Sequence, residues 1–211
     1  MKTALFGSAS ISDYHIYKEY LKDCEFVICC DGGMVHTKNL GLTPDMILGD
    51  FDSVPPEVLR YYENEKIEVR RYPSHKDFTD MELGILAARE IGTNELLIFG
   101  GIGNRLDHTI ANIHLLLRIK ELGMYGQLIN ENNTIELIDH KKIIEGKEGD
   151  LISLLPFQGP AEGVSTKGLE YPLFEESLPM DTARGISNVM TGRRAEVTVR
   201  KGMLLLIRSK D

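Results

Sequence analysis

Four times in the first half of the chain a strand-like stretch is followed by a polar cluster. FVICC runs into DGG over 26–33, and MIL runs into GDFDS over 46–53. IEVRR precedes HKDFTDME over 67–82, and LLIF runs into GGIGNRLDH over 96–108. Between these lie amphipathic stretches at 13–21, 34–39, 57–63, 81–91 and 108–122, the first with Tyr14, Tyr17 and Leu21 at helical spacing. With a further strand at 4–6, the alternation of strand and helix predicts a parallel sheet covered by helices on both faces. Ligands of such sheets bind beyond the carboxyl ends of the strands. A parallel arrangement brings all four clusters to that one edge.

Beyond about residue 128 the pattern changes. Strand-like runs at 135–138, 151–155, 195–199 and 204–207 are separated by Gly and Pro, with no convincing helix between them. A second, all-β domain is expected, with the division inside 123–133 and drawn as 1–125 and 126–211. Composition is that of an ordinary globular protein, 42% hydrophobic and 27% charged, which excludes disorder and fibre. The formal charge of −8 repels nucleic acid, so any phosphate is held locally. Cys24, Cys29 and Cys30 have no partner elsewhere in the chain and read as buried thiols of a reducing compartment. The N-terminal MKTALFGSAS lacks the apolar core of a signal peptide, and no run approaches the roughly 18 apolar residues of a membrane span. A cytoplasmic location without membrane attachment is expected.

The clusters carry complementary chemistry. Carboxylates crowded at one sheet edge repel and raise one another's pKa values unless a cation joins them. Mg²⁺ takes a few carboxylate oxygens, keeps some water and completes its shell from substrate phosphates. Asp50, Asp52 and Asp80 are the candidate ligands. Gly100, Gly101 and Gly103 lie between a strand and a helix, where backbone N–H groups and the helix N-terminus can approach phosphate, and Arg105 adds a forked cation. The run is neither G-x-G-x-x-G, since Leu106 fills the last position, nor a P-loop. Plainer roles stand beside these. Asp31-Gly32-Gly33 suits a turn, Asp52-Ser53 before Pro55-Pro56 suits a helix start, and Asp107 suits an N-cap. Thr79 and Glu82 have the spacing of a capping box. His108 and His114 read as packing or surface residues rather than ligands.

Taken in order, Asp31-Gly32-Gly33, Pro44-Asp45, GDFDS, DFTDME and GGIGNRLDHTIAN over 100–112 resemble the thiamine pyrophosphokinases. STKGLEYPL over 165–173 and GISN over 185–188 are similar to that family's thiamine-binding part, so the resemblance runs nearly end to end. It implies an N-terminal α/β domain, a C-terminal β-sandwich and a homodimer with active sites between subunits. It also implies transfer of the terminal diphosphate of ATP to the thiamine hydroxyl with Mg²⁺, giving AMP. Asp50, Asp52 and Asp80 become the catalytic metal-binding set, with Asp52 and Asp80 candidates for accepting the alcohol proton. Asp31, Lys76, Arg105 and Asp107 join the glycines as nucleotide contacts, Lys76 being equally well a solvated lysine. Ser187 and Asn188 become the thiamine contacts, although Gly-Ile-Ser-Asn also makes a good β-turn. Some members set a tryptophan against the thiamine rings. This chain has no Trp, and Tyr171 is the candidate substitute. Rival readings are a diphosphokinase for another alcohol, such as a hydroxymethylpterin, and a non-catalytic module that binds nucleotide or thiamine.

Overall fold

The computed structural model describes residues 1–52, 54–62, 67–74 and 77–210. The chain divides into two compact units, Met1–Glu131 and Asn132–Asp211. In the first, the apolar runs become β1 (Lys2–Phe6), β2 (Phe26–Cys30), β3 (Met46–Gly49), β4 (Glu68–Arg71) and β5 (Glu95–Phe99). A sixth strand, β6 (Tyr125–Ile129), was not foreseen; it pairs parallel with β5 and so belongs to this unit. All six are parallel, in the order β4-β3-β2-β1-β5-β6.

The connecting helices are α1 (Tyr17–Leu21), α2 (Met34–Leu40), α3 (Pro56–Tyr62), α4 (Asp80–Glu90) and α5 (Leu106–Glu121). Successive strand residues point to opposite faces. On one face Ala4, Phe6, Cys29, Ile47, Leu97 and Phe99 bury with Tyr17 of α1, Met34 of α2, and Val58 and Tyr62 of α3. On the other, α4 lies so close that a Cβ on Gly84 would come 2.6 Å from Cys30 Sγ and 2.7 Å from a Leu5 methyl. The same face receives α5, whose Ile119 packs on Gly126 of β6. The chain thus winds outward from β1 to β4 along one face, returns under the other, and continues from β5 to β6. Its direction reverses between β1 and β5, and a crevice opens at the carboxyl ends of strands at such a switch point.

The second unit is all-β, as expected, and its strands pair antiparallel; among the described residues it has seven strands rather than the four read from the sequence: β7 (Asn133–Ile138), β8 (Lys141–Glu145), β9 (Leu151–Lys167), β10 (Glu176–Leu178), β11 (Asn188–Val189), β12 (Arg194–Thr198) and β13 (Lys201–Ser209). The first half of β9 pairs with β13, which also pairs with β7. Its second half pairs with β12, which also pairs with β8. Positive φ at Gln158 and Gly163, and a register shift against β13, mark the bend where β9 passes from one layer to the other. Between the layers Ile152, Leu154, Val164, Leu178, Met190, Val197, Leu204 and Leu206 form the core of a β-sandwich.

Candidate active site

The acidic turn is built around Phe51. Its ring is buried in the first unit's core and lies 5.1 Å from the Arg71 guanidinium, while Asp50 is half-buried and Asp52 exposed. Burying a phenylalanine stabilises by about 1.5–3 kcal/mol. That is comparable with the cost of the left-handed backbone the turn imposes, with φ of 65° at Phe51. The turn is tied from within by the Asp52 N–H donating to Asp50 Oδ1 at 3.0 Å, and from outside by Ser74 Oγ donating to Asp52 Oδ2 at 2.9 Å. Ser53, the expected helix cap, lies outside the described residues, as do His75 and Lys76.

Asp31, in the 3₁₀ turn Asp31–Gly33 after β2, is buried and also left-handed, with φ of 46°. Its Oδ1 accepts the Phe51 N–H at 3.1 Å. The carboxylate read from the sequence as a nucleotide contact is therefore also the group that fixes the acidic turn. Asp80 begins α4. The expected capping box is present: the Glu82 N–H donates to Thr79 Oγ1 at 3.2 Å, and the Thr79 N–H to Glu82 Oε2 at 2.9 Å. Beneath, the Cys30 thiol donates to the Asp80 carbonyl at 3.2 Å. Burial first, then the charges of Cys29, Asp80 and Asp31, push that thiol well above its ordinary pKa, so Cys30 stays neutral. Cys29 is likewise buried and Cys24 partly so, all three as free thiols.

Among the described residues no three His, Cys, Asp or Glu side chains come together as a metal cage. Asp50, Asp52 and Asp80 therefore do not form a closed three-carboxylate site. Their donors are hard oxygens on an open edge, which suits an ion that draws most of its shell from water and phosphate.

The glycine turn is fixed by sterics. Gly100 has φ of 62°, and a Cβ there would fall 2.4 Å from the Gly7 carbonyl oxygen, so the loops after β1 and β5 interlock backbone to backbone. Thr109 Oγ1 accepts the Gly103 N–H at 3.0 Å and donates to the Gly103 carbonyl at 3.1 Å, and Asn112 Nδ2 donates to the Gly101 carbonyl at 2.7 Å. Side chains of α5 thus hold the turn, and the Gly103 N–H is already engaged. Arg105, not Asp107, occupies the N-cap position of α5. Arg105 donates to Asp107 through Nη2 at 2.7 Å and Nε at 3.3 Å, with both side chains exposed. The Arg105 hydrogen bond, followed by that from the His108 N–H, holds the Asp107 carboxyl below its ordinary range. His108 and His114 are exposed on α5.

In the second unit Ser187 is exposed and left-handed, with φ of 55°, and its N–H donates to Ser153 Oγ at 3.0 Å. Asn188 is buried. Its Oδ1 accepts the N–H groups of Tyr171 at 3.0 Å and Val189 at 2.9 Å, and its Nδ2 donates to the Tyr171 carbonyl at 2.7 Å. Asn188 is thereby a brace for Tyr171, which is 65% exposed.

The family comparisons follow the division into two units. A family model described as "Thiamin pyrophosphokinase, catalytic domain" matches residues 17–125, and one described as "Thiamin pyrophosphokinase, vitamin B1 binding domain" matches 135–204. The chain belongs to the thiamin pyrophosphokinase family. A thiamine pyrophosphokinase of Bacillus subtilis is 31% identical over 183 residues, 86% of each chain. The crystal structure of a thiamine pyrophosphokinase from Bacillus subtilis superposes with a TM-score of 0.91 at 28% identity, covering 100% of both chains. That of a thiamin pyrophosphokinase from Geobacillus thermodenitrificans gives 0.87 at 24% identity, covering 100% of this chain and 98% of the other, and supports the fold. Thiamin pyrophosphokinases are ATP-dependent diphosphotransferases, which favours this activity over a diphosphokinase for another alcohol or a passive binding module. The catalytic match spans Asp31 to Asp107, and the vitamin B1 match spans Tyr171, Ser187 and Asn188. No helix among the described residues is long and apolar enough to cross a membrane.

Proposed function

We propose that this chain transfers the terminal diphosphate of ATP to the hydroxyl of thiamine, releasing AMP and thiamine diphosphate. The match of both family models along one chain carries the reading. Attack at the β-phosphorus requires an in-line alcohol and dispersal of charge over the phosphate oxygens, which is mainly positioning and electrostatics. Asp50, Asp52 and Asp80 would hold Mg²⁺, which when bound neutralises charge on the phosphates. Asp31 and Phe51 hold the turn that carries Asp50 and Asp52. Arg105 exchanges Asp107 for a phosphate oxygen when nucleotide arrives, with Gly100 and Gly101 alongside, and Lys76 is a further candidate phosphate contact from the sequence. Ser187 presents its hydroxyl to the aminopyrimidine, while Asn188 keeps Tyr171 beside it.

On the same reading the enzyme is cytoplasmic, which suits three free thiols. It also acts as a homodimer, for which the resemblance is the support and sedimentation the test. The deciding assay supplies ATP, Mg²⁺ and thiamine to purified protein. AMP and thiamine diphosphate in equal amounts are expected. ADP with thiamine monophosphate would contradict the reaction type, and absence of any product would favour the binding module.

A further inference from the structure

The loop after β1, residues 7–13, reaches the same edge as the four clusters and lies outside the stretches matched by the family models. It sits at the switch point between β1 and β5, where a parallel sheet offers its crevice. The Gly7 N–H donates to the Phe99 carbonyl at 2.8 Å and the Ala9 N–H to the Gly100 carbonyl at 2.9 Å. A Cβ on Gly103 would come 2.7 Å from the Ala9 Cβ, so Ala9 is the piece on which the glycine turn rests. Ser8 and Ser10 are exposed above it, and Ser8 Oγ lies 3.0 Å from where a Cβ on Gly32 would be.

Ala9 is gripped from the other side by His36 of α2, a buried histidine with both ring nitrogens engaged. Its Nε2 is 3.0 Å from the Ala9 carbonyl oxygen and its Nδ1 2.8 Å from Tyr14 Oη. A carbonyl only accepts, so Nε2 carries the proton and Nδ1 accepts from the Tyr14 hydroxyl. The Tyr14 oxygen in turn accepts from Asn39 Nδ2 at 2.9 Å. One proton arrangement satisfies every member: Asn39 to Tyr14, Tyr14 to His36, His36 to Ala9. Burial keeps His36 below its ordinary pKa, consistent with the neutral ring this chain requires.

We propose that His36 is a positioning residue for nucleotide binding, acting through Ala9 to set the β1 loop against the glycine turn so that together they form the floor of the phosphate site. The inference rests on the functional reading above. Its test is direct binding of α,β-methylene-ATP with Mg²⁺ to the full chain by calorimetry, alongside steady-state KM for ATP and for thiamine. His36→Phe is expected to weaken nucleotide binding about tenfold, as an unsatisfied carbonyl demands, and to raise KM for ATP with KM for thiamine unchanged. His36→Gln, whose amide N–H reaches the place of Nε2, is expected to stay within about twofold of wild type. Tyr14→Phe, which carries little risk to folding, is expected to weaken nucleotide binding about threefold. Should His36→Phe not fold, Tyr14→Phe and His36→Gln decide. Wild-type nucleotide affinity in Tyr14→Phe, equal losses for ATP and thiamine, or no rescue by Gln would overturn the proposal. Nucleotide binding without transfer to thiamine in the wild type would instead remove the functional reading.

Discussion

The acidic turn and the glycine turn lie at the same sheet edge and are both tied by hydrogen bonds, but only the second is also closed to any added side chain. At 50–52 the backbone is held by chemistry: a buried ring below, the Asp31 carboxylate on the Phe51 N–H, and Asp50 on the Asp52 N–H. At 100–103 close packing with no room for a side chain adds to the bonds from Thr109 and Asn112, with Gly100 against Gly7 and Gly103 against Ala9. A turn fixed by hydrogen bonds tolerates changes that preserve an acceptor. A turn fixed by sterics tolerates no added atom.

Four substitutions test this contrast. Asp50→Asn removes a charge and keeps shape and acceptor, so turnover should fall about 10³-fold with the denaturation midpoint unchanged; wild-type turnover would sink the metal assignment. Gly100→Ala places a methyl on the Gly7 carbonyl in a left-handed conformation and should cost about 3 kcal/mol in chemical denaturation. An unaltered midpoint would mean the two loops do not interlock. Asp31→Ala should lose about 1–3 kcal/mol by leaving the Phe51 N–H unsatisfied, and Asp31→Asn clearly less; equal losses would assign the effect to charge rather than to the hydrogen bond. Arg105→Ala, which breaks an exposed pair, should leave the denaturation midpoint where it is. Its effect belongs in KM for ATP, rising severalfold, and a shifted midpoint with unchanged KM would reverse its assignment.

The parallel sheet was legible because β2, β3 and β5 are built on apolar runs and its longer helices carry a period near 3.6. The edge clusters were legible because parallel topology places them together. The β1 loop was not, since GSAS acts through its main chain, which leaves no residue signature. His36 was missed for a related reason: its partners, Ala9 and Tyr14, are distant in sequence and one of them is a carbonyl. In the second unit, Pro156, Gly159, Pro160 and Gly163 read as punctuation, whereas β9 runs through all four and bends there. The strands β10 and β11, three and two residues long, are too short to show a period. β6 was obscured by Gly126, whose small size serves packing by Ile119.

The placement of Phe51 between the two carboxylates has a thermodynamic consequence. Because the core residue and the two candidate ligands are chain neighbours, the turn cannot swing away without pulling an aromatic ring out of the interior. Local opening of the acidic turn therefore adds the cost of exposing that ring, about 1.5–3 kcal/mol, to the loss of its hydrogen bonds, and hydrogen exchange at Phe51 should be slower than in a loop without such an anchor.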